Sequence, residues 1–279
     1  MTSAPAWTAI RAIDPRLAAA RQQAHHAVQW LARTARGHIP ARSDDRHTNL
    51  GWDDHFKGFF THLLPDGARL GLRIIDLTLE FFDPSGAVKE TFALDGRRDA
   101  EVREWLGRNV QAHGLDPARL DAPLPYALPP LPGGDVYAAA ALAQPLGALA
   151  TWYANANAEL GEVCRHVARY GLSAPPVRCW PHHFDLDTLI TVAPGRTTGV
   201  GFEPGDDYYD EPYFYVSLYP APQVASLPPL PAIGAWHAKD FTAAVATATR
   251  IIAAPDQGKA VTAFLHAALD ATVAALRRK

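Results

Sequence analysis

The stretch Tyr213-Phe214-Tyr215-Val216-Ser217-Leu218-Tyr219 alternates its side chains with a period of two, which is the spacing of a β-strand. Its two faces differ in chemistry: Phe214, Val216 and Leu218 lie on one, and Tyr213, Tyr215 and Tyr219 lie on the other. The first face is suited to a hydrophobic core, and the second carries phenol groups. The stretch therefore predicts a sheet that is apolar on one side.

Further strands and helices are predicted on both sides of this stretch. Turn residues and alternation favour strands at residues 58–64, 77–81, 88–94, 188–193 and 198–202. In the strand predicted at residues 77–81, Thr78 and Glu80 are expected to face water. Helical spacing favours helices at residues 17–36, 146–167, 240–253 and 259–276, with another that Asp99 caps. These elements predict an α+β fold in which helices cover an antiparallel sheet.

The order helix, strands, helix occurs twice, on either side of a proline-rich segment. The predicted division is residues 1–114, a linker at 115–134, and residues 135–279, with both halves packed as one globular unit. The pattern Trp-x-x-His-Phe also occurs twice, at residues 52–56 and 180–184. We therefore hypothesise an internal duplication, with the two halves paired about a pseudo-twofold axis.

Composition excludes several classes of protein. The net charge of −3 gives no basic surface for a phosphate backbone, so no nucleic-acid partner is expected. No apolar run approaches the ~20 residues that span a bilayer, and no signal-peptide pattern opens the chain. The two cysteines, Cys164 and Cys179, do not form a disulfide framework. A cytoplasmic protein without a membrane partner is expected, and its oligomeric state is left open.

The first candidate site is residues 180–187, Trp-Pro-His-His-Phe-Asp-Leu-Asp. If this segment is extended, His183 and Asp185 point the same way, which suits a metal-ligand pair or an acid–base pair. Trp180 and His182 are also predicted to bind substrate, although His182 would point the other way in an extended segment. The alternative is that these histidines pack or cap and the aspartates are solvated.

The second candidate site is the acidic loop 205–212. It offers carboxylates and phenols for a pocket wall: Asp206, Asp207, Tyr208, Tyr209 and Glu211. The alternative is a solvated turn before the Tyr213 strand. A third candidate, the loop at residues 44–49, would contribute His47 as a substrate-binding residue.

A more specific hypothesis is an iron(II)/keto-acid oxygenase. His183, Asp185 and the distant His237 have the form of a facial iron triad, and Arg250 follows at a sequence distance where such oxygenases place an arginine for the keto-acid carboxylate. The helix predicted at 240–253 argues against it, because that fold needs strands there. Dinucleotide and Walker phosphate-binding motifs are absent.

Two segments resemble elements of a family of uncharacterised bacterial proteins. These are W-P-H-H-F-D, within residues 177–185, and G-D-x-Y-Y-x-E-P-Y-F-Y-V, within residues 203–216. The resemblance implies that both segments matter, but it implies no reaction.

The sequence thus favours a small-molecule enzyme with a pocket of His, Asp and Tyr side chains, with or without a divalent metal. The alternative is a non-catalytic ligand-binding or protein-interaction module that uses the tyrosine face.

Overall fold

The computed structural model describes residues 7–131 and 134–278, and the chain divides into two compact units. The first unit comprises Asp14–Ala150 together with Cys179–Phe184. The second comprises Met1–Ile13, Thr151–Arg178 and Asp185–Lys279. This division does not follow the predicted boundary at 115–134. The first unit continues past that boundary to Ala150, and the chain returns to it for the six residues Cys179–Phe184.

The first unit holds a five-stranded antiparallel sheet and two helices. Its elements are α1 (Leu17–His38), β1 (Gly51–Asp53), β2 (Gly58–Phe60), β3 (Arg69–Arg73), β4 (Thr78–Phe82), β5 (Val88–Ala93) and α2 (Asp99–Ala112). The strands pair in chain order. The helix expected at 17–36 is confirmed, and its stripe of small and aliphatic residues, from Ala20 to Leu31, is fully buried.

The expectation that Thr78 and Glu80 face water is wrong. Thr78 is only 4% exposed and Glu80 only 7%. The guanidinium of Arg73 on the neighbouring strand pairs with the Glu80 carboxylate and also holds Asp76, with Nη2 and Oδ2 2.9 Å apart. A carboxylate is tolerated in a buried position when a cation accompanies it.

The proline-rich segment packs against α1 and does not act as a free linker. Its backbone carbonyls accept hydrogen bonds from side chains of that helix: His38 Nε2 lies 3.0 Å from the Asp116 oxygen, and Arg33 Nη1 lies 3.2 Å from the Ala122 oxygen. The hydroxyl of Tyr126 donates to Gln29 Oε1 at 2.8 Å. Asp116 and Ala122 flank a short 3-10 helix, Pro117–Asp121, at whose ends these carbonyl oxygens lie. Pro132 and Gly133, which belong to the predicted linker, lie outside the described residues.

The second sheet has six strands in the order β10-β11-β9-β8-β7-β6. Its elements are β6 (Arg178–Trp180), β7 (Asp185–Ala193), β8 (Arg196–Glu203), β9 (Tyr213–Tyr219), β10 (Ala235–His237) and β11 (Ala243–Thr247). The helices of this part are α3 (Ala143–His166), of which residues from Thr151 on belong to the second unit, α4 (Ala248–Ile252) and α5 (Gln257–Arg277). The α+β class is thereby confirmed.

The helix expected at 240–253 is wrong over its first half. Residues Ala243–Thr247 form β11, which pairs antiparallel with β9, and only Ala248–Ile252 is helical. Alanine favours a helix by itself, but small side chains also fit a fully buried central strand. Here the tertiary context overrides the local propensity.

The apolar face of the second sheet is covered by α5, which packs on β7, β8 and β9. Trp152 of α3 stacks on Phe202 of β8, with ring centroids 5.9 Å apart. By length and composition, α5 is apolar enough to cross a membrane, although half of its most apolar window is buried inside the protein. The burial of Phe264 and Leu265 fits a core helix of this unit.

The repeated Trp-x-x-His-Phe pattern spans a strand and the turn after it in both places, but one residue out of step, because Phe56 is the third residue of its turn and Phe184 is the fourth. Trp52 lies in β1 and Trp180 in β6, and each strand is followed by a four-residue turn and then the next strand of its sheet. Each turn ends in a residue with positive φ, Lys57 at 55° and Phe184 at 70°. The strand orders agree over four strands and differ at the fifth, where β11 takes the place next to β9. The duplication stays a prediction.

Candidate functional site

The polar face of the second sheet carries carboxylates and phenols on adjacent strands. One cross-strand row contains Asp187, Gly201, Tyr215 and Val245, paired in that order through β7, β8, β9 and β11. Asp185 lies two residues before Asp187 on β7 and therefore faces the same way. This register brings side chains that are far apart in the sequence onto one surface.

Asp185 and Tyr215 form a buried hydrogen-bonded pair. The Tyr215 hydroxyl donates to Asp185 Oδ2 over 2.6 Å, and Asp185 is only 4% exposed. Its other oxygen, Oδ1, is buried and has no hydrogen-bond partner among residues 7–131 and 134–278. A buried acceptor without a donor is costly, so such an atom in a folded protein calls for a reason.

Burial raises the pKa of Asp185 to about 6, and the hydrogen bond from Tyr215 opposes this rise. Burial also holds the pKa of Tyr215 well above its usual range, with a further increase from the Asp185 carboxylate. The phenol thus keeps its proton, while the carboxyl group gains and loses one close to neutral pH. Of the two groups, Asp185 is the one able to exchange a proton.

Gly201 makes room for this pair on the strand between them. A Cβ atom at this position would overlap the Tyr215 phenol and lie 2.7 Å from the Leu186 carbonyl oxygen. The Tyr215 ring therefore crosses over bare backbone to reach Asp185 on the far strand. Any larger residue at position 201 would displace the phenol.

Asp206, predicted to line a pocket, closes its own loop. Its Oδ1 accepts hydrogen bonds from the backbone nitrogens of Tyr208 and Tyr209, at 2.8 and 2.9 Å. Its Oδ2 accepts from the Tyr213 hydroxyl at 2.8 Å. The neighbouring Asp207 is exposed, as is Tyr208. The loop is thus held by Asp206 and is largely the solvated turn that was the alternative expectation.

Glu211, also predicted to bind substrate, fixes the start of α4. Its Oε2 accepts from the backbone nitrogen of Thr249 at 2.6 Å and from the Thr249 hydroxyl at 2.7 Å. These are the contacts of a helix-capping side chain, because the first turn of a helix has free N–H groups.

His237 uses both ring nitrogens within the protein. Nε2 lies 2.6 Å from the Lys239 carbonyl oxygen, so it carries the proton and donates, and Nδ1 accepts from the Tyr209 hydroxyl at 2.9 Å. Arg250 Nη1 donates to the Gly234 carbonyl oxygen at 3.2 Å. No group of three or more His, Cys, Asp or Glu that suits a metal ion occurs among the described residues. The predicted iron triad therefore gains no support.

The residues Trp180 to Phe184 belong to the first unit, where they form a turn on α1. The Pro181 carbonyl oxygen accepts from His25 Nε2 at 2.8 Å and from Gln29 Nε2 at 2.7 Å. Phe184 stacks on the His25 ring, with centroids 5.2 Å apart. The expectation of an extended chain through residues 180–187 is wrong, because residues 181–184 turn and β7 begins only at Asp185.

The side chains of His182 and His183 are exposed, and their rings lie 4.2 Å apart. His47 is buried in the same unit, where its Nδ1 accepts from the Arg42 backbone nitrogen at 3.3 Å. Burial lowers the pKa of His47, against the nearby Asp45 carboxylate, which raises it. The roles predicted for these three histidines in binding or catalysis stay predictions.

Two residues of the site were not among the predicted site residues. The sequence predicts Tyr215 only as part of a possible interaction surface, and it predicts no role for Gly201. The alternation Gly199, Gly201, Glu203 along β8 was the available signal, since small residues on one face of a strand leave room for a neighbouring ring.

Comparison with known protein families, curated proteins and solved structures finds no match to this chain. The resemblance to a bacterial family stays a prediction. Fold and site together describe an α+β protein with a buried carboxyl–phenol pair on the polar face of an antiparallel sheet.

Proposed function

We propose that this protein is an enzyme that acts on a small polar molecule by proton transfer, with Asp185 as the group that takes and returns the proton. The observation that carries the proposal is the buried Oδ1 of Asp185, which lacks a hydrogen-bond partner in the described part of the chain. A substrate that presents an N–H or O–H group would fill that position.

The properties of Asp185 suit general acid–base catalysis. A catalytic carboxyl group works best when its pKa lies near the working pH, and the pKa of about 6 is in that range. At neutral pH most molecules hold the ionised form, which is the form that accepts a proton. Strongly shifted carboxyl groups in buried positions are more common at functional sites than elsewhere.

Tyr215 acts as a positioning residue in this proposal. Its hydroxyl occupies Oδ2 of Asp185, which fixes the plane of the carboxyl group and leaves Oδ1 as the reactive oxygen. Gly201 in turn permits the position of the phenol.

The alternative of a flat protein-interaction surface has less support. Of the three tyrosines on this face, Tyr219 is 69% exposed, but Tyr213 is buried and Tyr215 is half-buried. The hydroxyls of the latter two already donate to carboxylates. An aromatic face whose polar ends are used internally is less suited to a partner protein than to a small ligand.

The test is a screen of pooled small molecules for substrate consumption, followed by mass spectrometry. Any activity found is then measured for the wild type, Asp185→Asn and Tyr215→Phe, with Glu90→Gln on exposed β5 as control. Loss of a general base costs about 10²–10⁴-fold, so we expect Asp185→Asn to lower kcat/KM by that amount. Tyr215→Phe removes the hydrogen bond that lowers the pKa of Asp185, so it should move the acidic limb of the pH–rate profile to higher pH. Glu90→Gln should leave kcat/KM and the pH–rate profile unchanged. Full activity in folded Asp185→Asn would refute the proposal.

A further inference from the structure

We propose that the ligand of this site carries a protonated amino group, which binds against the free oxygen of Asp185 and among the tyrosine rings beside it. The inference rests on the location of the proposed active site, but it does not require that the ligand be turned over.

The first argument is the set of groups that act on Asp185. Three influences on this carboxyl group are resolved: its burial, the hydrogen bond from Tyr215 and the polarity of its own backbone. None of them is a positive charge. An ionised carboxylate away from water is stabilised chiefly by a cation with hydrogen-bond donors, and an ammonium group supplies both.

The second argument is the sign of the charges around the neighbouring phenol. The groups that act on Tyr215 through their charge are Asp185, Asp187 and Glu203, and all three are acids. The charges that act on Tyr213 likewise come from Glu203, Asp206 and Asp185. Tyr209, the third tyrosine, is acted on by Arg250 as well as by Asp206, so acids outnumber bases here without excluding them. A surface on which negative charges predominate attracts a cation.

The third argument is the arrangement of aromatic rings. Tyr209 and Tyr213 have ring centroids 5.0 Å apart, and Tyr213 and Tyr215 have theirs 6.2 Å apart. The face of an aromatic ring is electron-rich and attracts cations, and grouped tyrosines are a known way of holding substituted ammonium ions. Because burial raises the pKa of Tyr213 and of Tyr215, both rings stay as neutral phenols.

Two other ligand chemistries fit less well. A neutral polyol would donate a hydrogen bond to Oδ1 but would leave the carboxylate charge without a counter-ion. An anionic ligand would be repelled by Asp185, Asp187 and Glu203. The amine is the chemistry that satisfies the hydrogen bond and the charge together.

Three probes of equal chain length separate these chemistries: 1,4-diaminobutane, 1,4-butanediol and succinate. Binding is measured by titration calorimetry at pH 7.5, and the carboxyl carbon of Asp185 is followed by NMR. We expect the diamine to bind at least tenfold more tightly than the diol and to shift the Asp185 signal, and we expect succinate not to bind. Asp185→Asn should weaken diamine binding at least tenfold, whereas Glu90→Gln should leave it unchanged.

The pH dependence gives a test on the wild-type protein, so the inference does not depend on whether a variant folds. Protonation of Asp185 removes the charge that the ammonium group needs, so affinity for the diamine should fall as the pH drops below about 6. Equal binding of diol and diamine, absence of diamine binding, or binding that ignores both pH and Asp185→Asn would overturn the inference. Diamine binding at Asp185 would support it even if the separate test of Asp185→Asn activity refuted the proposed enzymatic function.

Discussion

At the scale of single residues, Asp185 shows how burial and hydrogen bonding act against each other on one carboxyl group. Burial favours its neutral form, and the Tyr215 hydroxyl favours its ionised form. Burial is the larger effect, so the pKa of Asp185 in the folded protein lies above the usual value for an aspartate, 3.8. The same residue therefore lowers stability at the pH where it can serve as a base.

Replacing Asp185 with Asn tests this cost directly. Because the folded pKa is raised, the wild-type carboxyl favours folding at low pH and loses that contribution as the pH rises from about 4 to about 6. Asn cannot ionise, so Asp185→Asn should gain stability relative to the wild type by about 2 kcal/mol between pH 4 and pH 8. Urea denaturation at both pH values measures the change. A difference between the two proteins that stays constant with pH would show that Asp185 has an ordinary pKa.

At the scale of secondary structure, several polar side chains that looked functional hold the ends of elements. Glu211 caps α4, and Asp206 closes the loop before β9. The turn that contains His182 and His183 is held on α1 through the backbone carbonyl of Pro181. Asp, Glu and His suit such contacts for the same reason that they suit active sites, because they make strong hydrogen bonds. Residue type and spacing alone do not separate the two uses.

The cap on α4 can be tested with a pair of substitutions at one position. Glu211→Ala removes the acceptor for the Thr249 nitrogen and hydroxyl and should lower the free energy of unfolding by about 1 kcal/mol. Glu211→Gln keeps an acceptor oxygen and should lose less. Asp207→Ala, on the exposed part of the same loop, serves as the control and should be neutral. If chemical denaturation gives the same stability for Ala and Gln as for the wild type, the cap contributes nothing.

At the scale of the whole molecule, the two compact units are not the two halves of the sequence. The first unit needs the proline-rich segment, through contacts such as Tyr126 with Gln29, and also Cys179–Phe184. Within that unit the backbones of Leu50 and Cys179 exchange two hydrogen bonds, with nitrogen–oxygen distances of 2.9 and 2.8 Å. Phe184 is fully buried beside Phe59 and His25.

A fragment of residues 1–114 should consequently fail to unfold as a cooperative unit. It lacks the segment that packs on α1 and the six residues that contribute the buried Phe184, although it contains every strand of the first sheet. Thermal denaturation followed by circular dichroism, with the full chain alongside, makes the comparison. A cooperative transition of the fragment near the melting temperature of the full chain would restore the division into sequence halves.

Helices and strands that have a repeating pattern of apolar residues within one segment can be predicted from the amino-acid sequence. The stripe on α1 and the alternation of β9 are repeated within one segment, so each could be found without knowing its neighbours. The α+β class followed from these elements. In β11 the local signal was misleading, because Ala243 to Ala246 favour a helix alone and form a strand only between β9 and β10.

The contact between the residues of the site depends on tertiary packing. Asp185 and Tyr215 are thirty residues apart, and they meet because β7, Gly201 on β8 and β9 pair in one particular register. A shift of one residue would turn each of these side chains to the opposite face. The register depends on how whole strands pack on α5, so no short stretch of sequence predicts it. The Oδ1 atom of Asp185 becomes buried without a hydrogen-bond partner only when that packing is complete.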